Sequence, residues 1–142
     1  MIDGSRSNHG VIVQATGPFD VKLVPQPPGP DPEDTALGRL TIDKQFHGDL
    51  DATSRGQMLA AQGTVTGSAG YVAMERVTGV LHGRRGTFVL MHTGIMNRGE
   101  PSLSISVVPD SGTDELTGLA GTMNIVIAPG GKHSYEFEYA IA

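Results

Sequence analysis

The sequence predicts an all-β protein, a single antiparallel barrel of about eight strands, on three observations. Apolar and polar residues alternate through short segments, the pattern of a half-buried strand. Twenty glycines in 142 residues, with a charged fraction of 18%, supply the tight turns that many short strands need. Helical periodicity is almost missing, and its best candidate, residues 54–61, is short and reads equally as strand or loop.

Residues 1–10 read as a flexible lead, with the barrel domain expected over 11–142. A short strand is expected over 11–15. Another is expected where Phe19, Val21 and Leu23 alternate with Asp20 and Lys22. Residues 25–34, PQPPGPDPED, cannot pair in a central ladder because proline lacks the amide donor. They are expected to form a surface loop, a peptide for a PxxP reader being the other reading. Strands are then expected at 38–48, 57–66, 70–82, 87–97, 102–108, 121–127 and 133–141. In the last, Tyr135, Phe137, Tyr139 and Ile141 face one way, Glu136 and Glu138 the other. Closure is favoured over an open sandwich because few strands carry the charges or prolines that blunt a free edge.

One strand has an odd lysine. In LGRLTIDKQFHG, Leu40, Ile42 and Phe46 make an apolar face, and Lys44 falls on it although a polar face was available. The hairpin GVLHGRRGTFVL extends this. A two-residue loop of Arg84 and Arg85 pairs His82 with Thr87, Gly79 with Leu90 and Val77 with His92. Directly paired residues share a face. Tyr71, Ala73, Glu75 and Val77 therefore lie with Phe88, Leu90, His92 and Met96, and Glu75 is a diagonal neighbour of His92. The opposite face mixes Arg76, Thr78 and Thr93 with Val72, Met74, Val89, Met91 and Ile95. Such a face is expected to be buried against a second copy, giving a homo-oligomer.

Lys44, Glu75 and His92 are the candidate catalytic residues. A barrel of about eight strands holds side chains or one small ligand, and three convergent polar groups would orient a mostly apolar guest. Glu75 with His92 would move a proton while Lys44 steadied negative charge. Tyr71, Phe88, Met96, Tyr135 and Phe137 are the candidate ligand-binding residues. Structural readings stand beside these. Lys44 and Glu75 would fix strand order as an ion pair, or Lys44 would reach out at the rim, and His92 would be a hydrogen-bonded core histidine.

Other classes find little support. Fifteen acidic against ten basic residues, with no tryptophan, is a poor match to nucleic acid. No apolar run approaches a membrane span, and no signal-peptide pattern opens the chain. The absence of cysteine removes disulfides and thiolate chemistry and fits a cytoplasmic location. GTVTGSAG fails the spacing of a nucleophile elbow, and APGGKHS fails that of a phosphate loop. The histidines show no metal-ligand spacing. His47, Asp49 and Asp51 in HGDLD read as solvated turn residues, and no metal site is expected.

The stretches GRLTIDKQFHGDLDATSRGQML, GSAGYVAMERVTGVLHGRRGTFVLMHTGIMNRG and VPDSGTDELTGLAGTMNI together resemble the bacterial domain of unknown function 3224 family, whose fold is similar to the allene oxide cyclase barrel. The resemblance runs from about residue 19 to 139. It implies an eight-stranded, allene oxide cyclase-like barrel, often oligomeric, whose apolar cavity moulds a substrate without metal or organic cofactor. No motif aligns with the allene oxide cyclase active site, so no catalytic residue carries over. The expected function is a small-molecule enzyme of isomerase or cyclase type acting on a hydrophobic molecule. The alternatives are a non-catalytic ligand-binding barrel and a structural oligomer with a filled barrel.

Overall fold

The computed structural model describes residues 11–28, 30 and 37–142. Eight strands follow in chain order: β1 (Val13–Pro25), β2 (Gly38–Phe46), β3 (Leu50–Gln62), β4 (Ala69–Leu81), β5 (Arg84–Asn97), β6 (Glu100–Val107), β7 (Leu119–Ile127) and β8 (His133–Ile141). Each is antiparallel to its neighbours, and β1 pairs with β8 as well as β2, which closes the sheet into an up-and-down barrel. A 3-10 turn, Asp114–Leu116, lies between β6 and β7 and buries Leu116. Those two strands share a single bridged pair, Ser106 with Thr122. No helix of the described residues is long and apolar enough to cross a membrane.

Three expectations are corrected. The two short strands expected before residue 25 are one strand, β1. Its Gly17–Pro18 step looks like a breaker, but the Pro18 carbonyl accepts the His47 N–H at 3.0 Å. Gly17 passes so near the His47 carbonyl that a Cβ there would collide with it. The strand expected at 57–66 is β3, Leu50–Gln62, which starts seven residues earlier and takes in all of 54–61, the segment read as helix, strand or loop. The β4–β5 turn is His82–Gly83, not Arg84–Arg85: φ is 46° at His82 and 80° at Gly83, the left-handed pair that a tight hairpin turn requires. Val77 therefore pairs with Phe88, and Ala73 with His92. The slip is four positions, an even number, so every residue keeps its face. Glu75 and His92 remain diagonal neighbours.

The lead over 1–10, and positions 29 and 31–34 of the expected proline-rich loop, lie outside the described residues. Pro25 closes β1.

The barrel interior differs between its two ends. Near the turns that follow β2, β4 and β6, it is packed solid. Phe46, Leu50, Val77, Leu81, Phe88, Leu90, Leu119 and Phe137 are at most 2% exposed there. At the other end, the inward phase of the strands continues past the core. Leu23 (45%), Met96 (40%), Leu103 (42%) and Ile127 (64%) are exposed on it. This end is the mouth. On the outer surface, the apolar face where self-association is expected is open in the single chain, with Val72, Met74, Met91 and Ile95 all exposed.

Candidate functional site

Between packed end and mouth, three strands bring Lys44, Glu75 and His92 together. Lys44 shares the inward phase of β2 with Ile42 and Phe46, both buried, and stands opposite Ser54 of β3. Glu75 stands opposite Gly56, where an added Cβ would come within 2.7 Å of the Glu75 Cβ, so glycine leaves the carboxylate its room. His92 stands opposite Ala73 on β4.

The Lys44 Nζ lies 3.0 Å from Glu75 Oε2 and donates a hydrogen bond to Oε1 at 3.3 Å. His92 Nε2 is 3.4 Å from Oε2. The Lys44 and Glu75 side chains are 5% and 0% exposed and that of His92 4%. Below the ammonium lie the rings of Phe19 and Phe46, with centroids at 5.1 and 5.6 Å, close enough for cation–π attraction. Oε2 and Nε2 sit at ion-pair distance without hydrogen-bond alignment, and the buried Ser54 Oγ has no partner.

Burial is the largest influence on the Glu75 carboxyl and opposes its ionisation. The close approach of His92 and the charge of Lys44 outweigh it, and the carboxyl is held below its usual range. A carboxyl depressed by folding contributes stability that is present above its unfolded value, about 4.3, and lost as pH falls through the folded value. Thermal melts are therefore expected to change little through Glu75 above about pH 5 and to drop on further acidification. Glu75→Gln should remove that part of the acid dependence. An unchanged acid limb in a folded Glu75→Gln protein would contradict the ionised assignment.

Tyr71 stands on the mouth side of this cluster. Its ring lies over Gly94, where any Cβ would collide with it, and its centroid is 6.4 Å from that of His92. Burial, then the nearby Glu75 charge, raises its phenol pKa.

The other candidate residues divide by height. Met96 is at the rim. Phe88 and Phe137 stack on each other at 5.8 Å in the packed end. Tyr135 is also there, its hydroxyl donating to the His47 carbonyl at 2.7 Å and accepting the Leu50 N–H at 2.8 Å, which ties β8 to the β2–β3 turn. In HGDLD, His47 pairs with Asp20 at 3.2 Å, while Asp49 accepts the Thr16 N–H. Among the described residues, no three His, Asp or Glu side chains converge as metal ligands.

Sequence reasoning missed Ser54, the two phenylalanine rings under Lys44, and His133, whose ring packs 5.3 Å from Phe19. Extending the alternation of the tail two residues back from Tyr135 would have placed His133 on the inward face. Ser54 needed the β2–β3 register, which no local pattern supplies.

A closed up-and-down barrel, packed at one end, apolar and open at the other, with an amine, a carboxylate and an imidazole paired between, defines a small β-barrel protein with one candidate interior site. The family model described as a protein of unknown function, DUF3224, matches residues 15–139, and the chain belongs to that family. A crystal structure of a protein of unknown function from the same family, from Shewanella oneidensis MR-1, is 48% identical and superposes with a TM-score of 0.85, covering 93% of this chain and 98% of that one. Among curated proteins none matches. The closed ring of eight strands is the architecture that the resemblance implied.

Proposed function

We propose that the protein is a small-molecule enzyme of isomerase or cyclase type, which holds a hydrophobic substrate in the mouth and moves a proton on it by acid–base chemistry. The observation that carries this reading is the buried Lys44–Glu75–His92 cluster set directly beneath an interior surface that is apolar yet left exposed. A buried ion pair is weak evidence for stability, since apolar residues of similar volume often serve the fold as well. Its position under an open mouth gives it something else to do.

The depressed Glu75 carboxyl is a poor proton acceptor near neutral pH, because an efficient base has a pKa near the working pH. His92 is therefore the proton carrier. Glu75 orients the imidazole and holds Lys44, whose ammonium steadies negative charge developing on the substrate. Tyr71 meets the substrate at the mouth. A second reading, a non-catalytic carrier, is favoured by one feature: Lys44 engages both oxygens of Glu75, so its charge is already answered.

Native mass spectrometry of the purified protein identifies any co-purifying molecule, which is then incubated with wild type and with His92→Gln. Wild type is expected to convert it. His92→Gln is expected to bind it and to lose about 100-fold or more in turnover, the scale of a single acid–base residue. A molecule returned unchanged by wild type replaces the enzyme reading with the carrier.

A further inference from the structure

The mouth says what kind of guest it would take. Its exposed inward residues, Leu23, Met96, Leu103 and Ile127, come from β1, β5, β6 and β7, and all are apolar. Among the described residues, Glu75 and Lys44 are the only carboxylate and ammonium at inward positions on the mouth side, and they are paired at 3.0 Å. The Lys44 ammonium is further satisfied by two aromatic faces. The remaining polar side chains of the inward phase here are uncharged or weakly basic: Ser54 and His92, both buried, with Gln62, Tyr71 and His133 nearer the rim. A charged head group entering here would shed its water and find no free counter-charge among the described inward residues, which is costly. An anion would also meet Glu75, and a cation Lys44.

Depth follows from the strands. From His92 to Met96 is four residues of β5, about 13 Å of strand. At a barrel tilt of about 40°, that is about 10 Å from floor to rim.

Building on the guest-binding reading above, we infer that the ligand is an uncharged molecule: an apolar body about 10 Å long ending in one weakly polar group, such as a hydroxyl or carbonyl, and not a carboxylate, phosphate or amine. The body rests on Leu23, Met96, Leu103 and Ile127. The polar end meets the Tyr71 side of the floor, above the buried His92. Discrimination is made by the closed Lys44–Glu75 pair, which offers neither charge to the guest.

The test is a head-group series of constant chain length. A neutral phenylnaphthylamine dye is titrated into the protein at mildly alkaline pH, then displaced by octanol, octanoate or octylammonium. Octanol is expected to displace it at concentrations about tenfold or more below either ion. Leu103→Lys, at an exposed rim position, is expected to abolish dye uptake, while Val72→Lys on the outer face leaves it intact. Glu75→Gln frees the Lys44 charge and is expected to move the preference toward octanoate by about tenfold. If that variant does not fold, the wild-type ranking and the Leu103→Lys result decide. Octanoate displacing as well as octanol from wild type overturns the uncharged-guest inference while leaving a guest in the mouth. Dye that does not bind, or binds regardless of Leu103→Lys, overturns both.

Discussion

Glu75→Leu is expected to cost the fold about 3–5 kcal/mol, since removing one partner leaves a buried charge uncompensated. Glu75 is 1% exposed and Lys44 7%, and to reach water the ammonium would have to leave the rings of Phe19 and Phe46. Against a total stability of about 5–15 kcal/mol, this is a large share. The double variant Lys44→Met with Glu75→Leu is expected to recover most of the loss, because apolar replacements fill the same space without a charge to satisfy. Urea unfolding of the single and double variants measures the difference. A single variant as stable as wild type would mean that the ion pair contributes nothing that depends on its partners. A double variant no better than the single would show that the cost lies in packing.

The second large effect belongs to Phe46. It is fully buried, edge-on to Tyr135 at 5.6 Å and tilted against Phe19 at 5.8 Å, with the Lys44 ammonium over its face. Phe46→Ala is expected to cost about 3–5 kcal/mol through lost burial and the cavity left behind. Phe46→Leu, nearer in volume, should cost appreciably less. The comparison with Phe137→Ala separates two contributions. Phe137 is equally buried but stacks on Phe88 and has no cation above it. Denaturant midpoints of the three proteins supply the measurement, and a loss below about 1 kcal/mol for Phe46→Ala would show that the packed end closes over the gap.

Alternation made most of the ring legible. Strands β2 and β4 to β8 announce themselves by inward residues every second position, whereas the small inward residues Ala52, Ser54 and Gly56 hide the first half of β3. The inward placement of Lys44 followed from Leu40, Ile42 and Phe46 alone. Where the reading slipped, a local cue pointed the wrong way. In GVLHGRRG, two glycines bracket the arginines and suggest a loop between them, while the real turn uses His82, a residue that tight hairpin turns do not favour. Because the slip was even, Glu75 and His92 still met. Gly17–Pro18 hid the continuity of β1 in the same way.

Height along the barrel was not legible. Phe88, Tyr135 and Phe137 share the inward phase with Met96, yet three lie in the packed end and one at the rim. A period of two reports which side of the sheet a residue faces. How far up the axis it sits depends on strand tilt and on registers between strands distant in sequence, so the split between a filled end and an open one appears only in three dimensions.

The ring also has a clasp. Seven of its junctions are continuous ladders, whereas β6 and β7 share one ladder pair, Ser106 with Thr122. Transient parting is cheapest there, and the amide hydrogens of β6 and β7 that face this junction are expected to exchange ahead of those in the seven ladders. Ile105 and Met123 line that junction from within, at the level of His92. A parting there would open beside Ile105, the residue that pairs with His92 across β5 and β6.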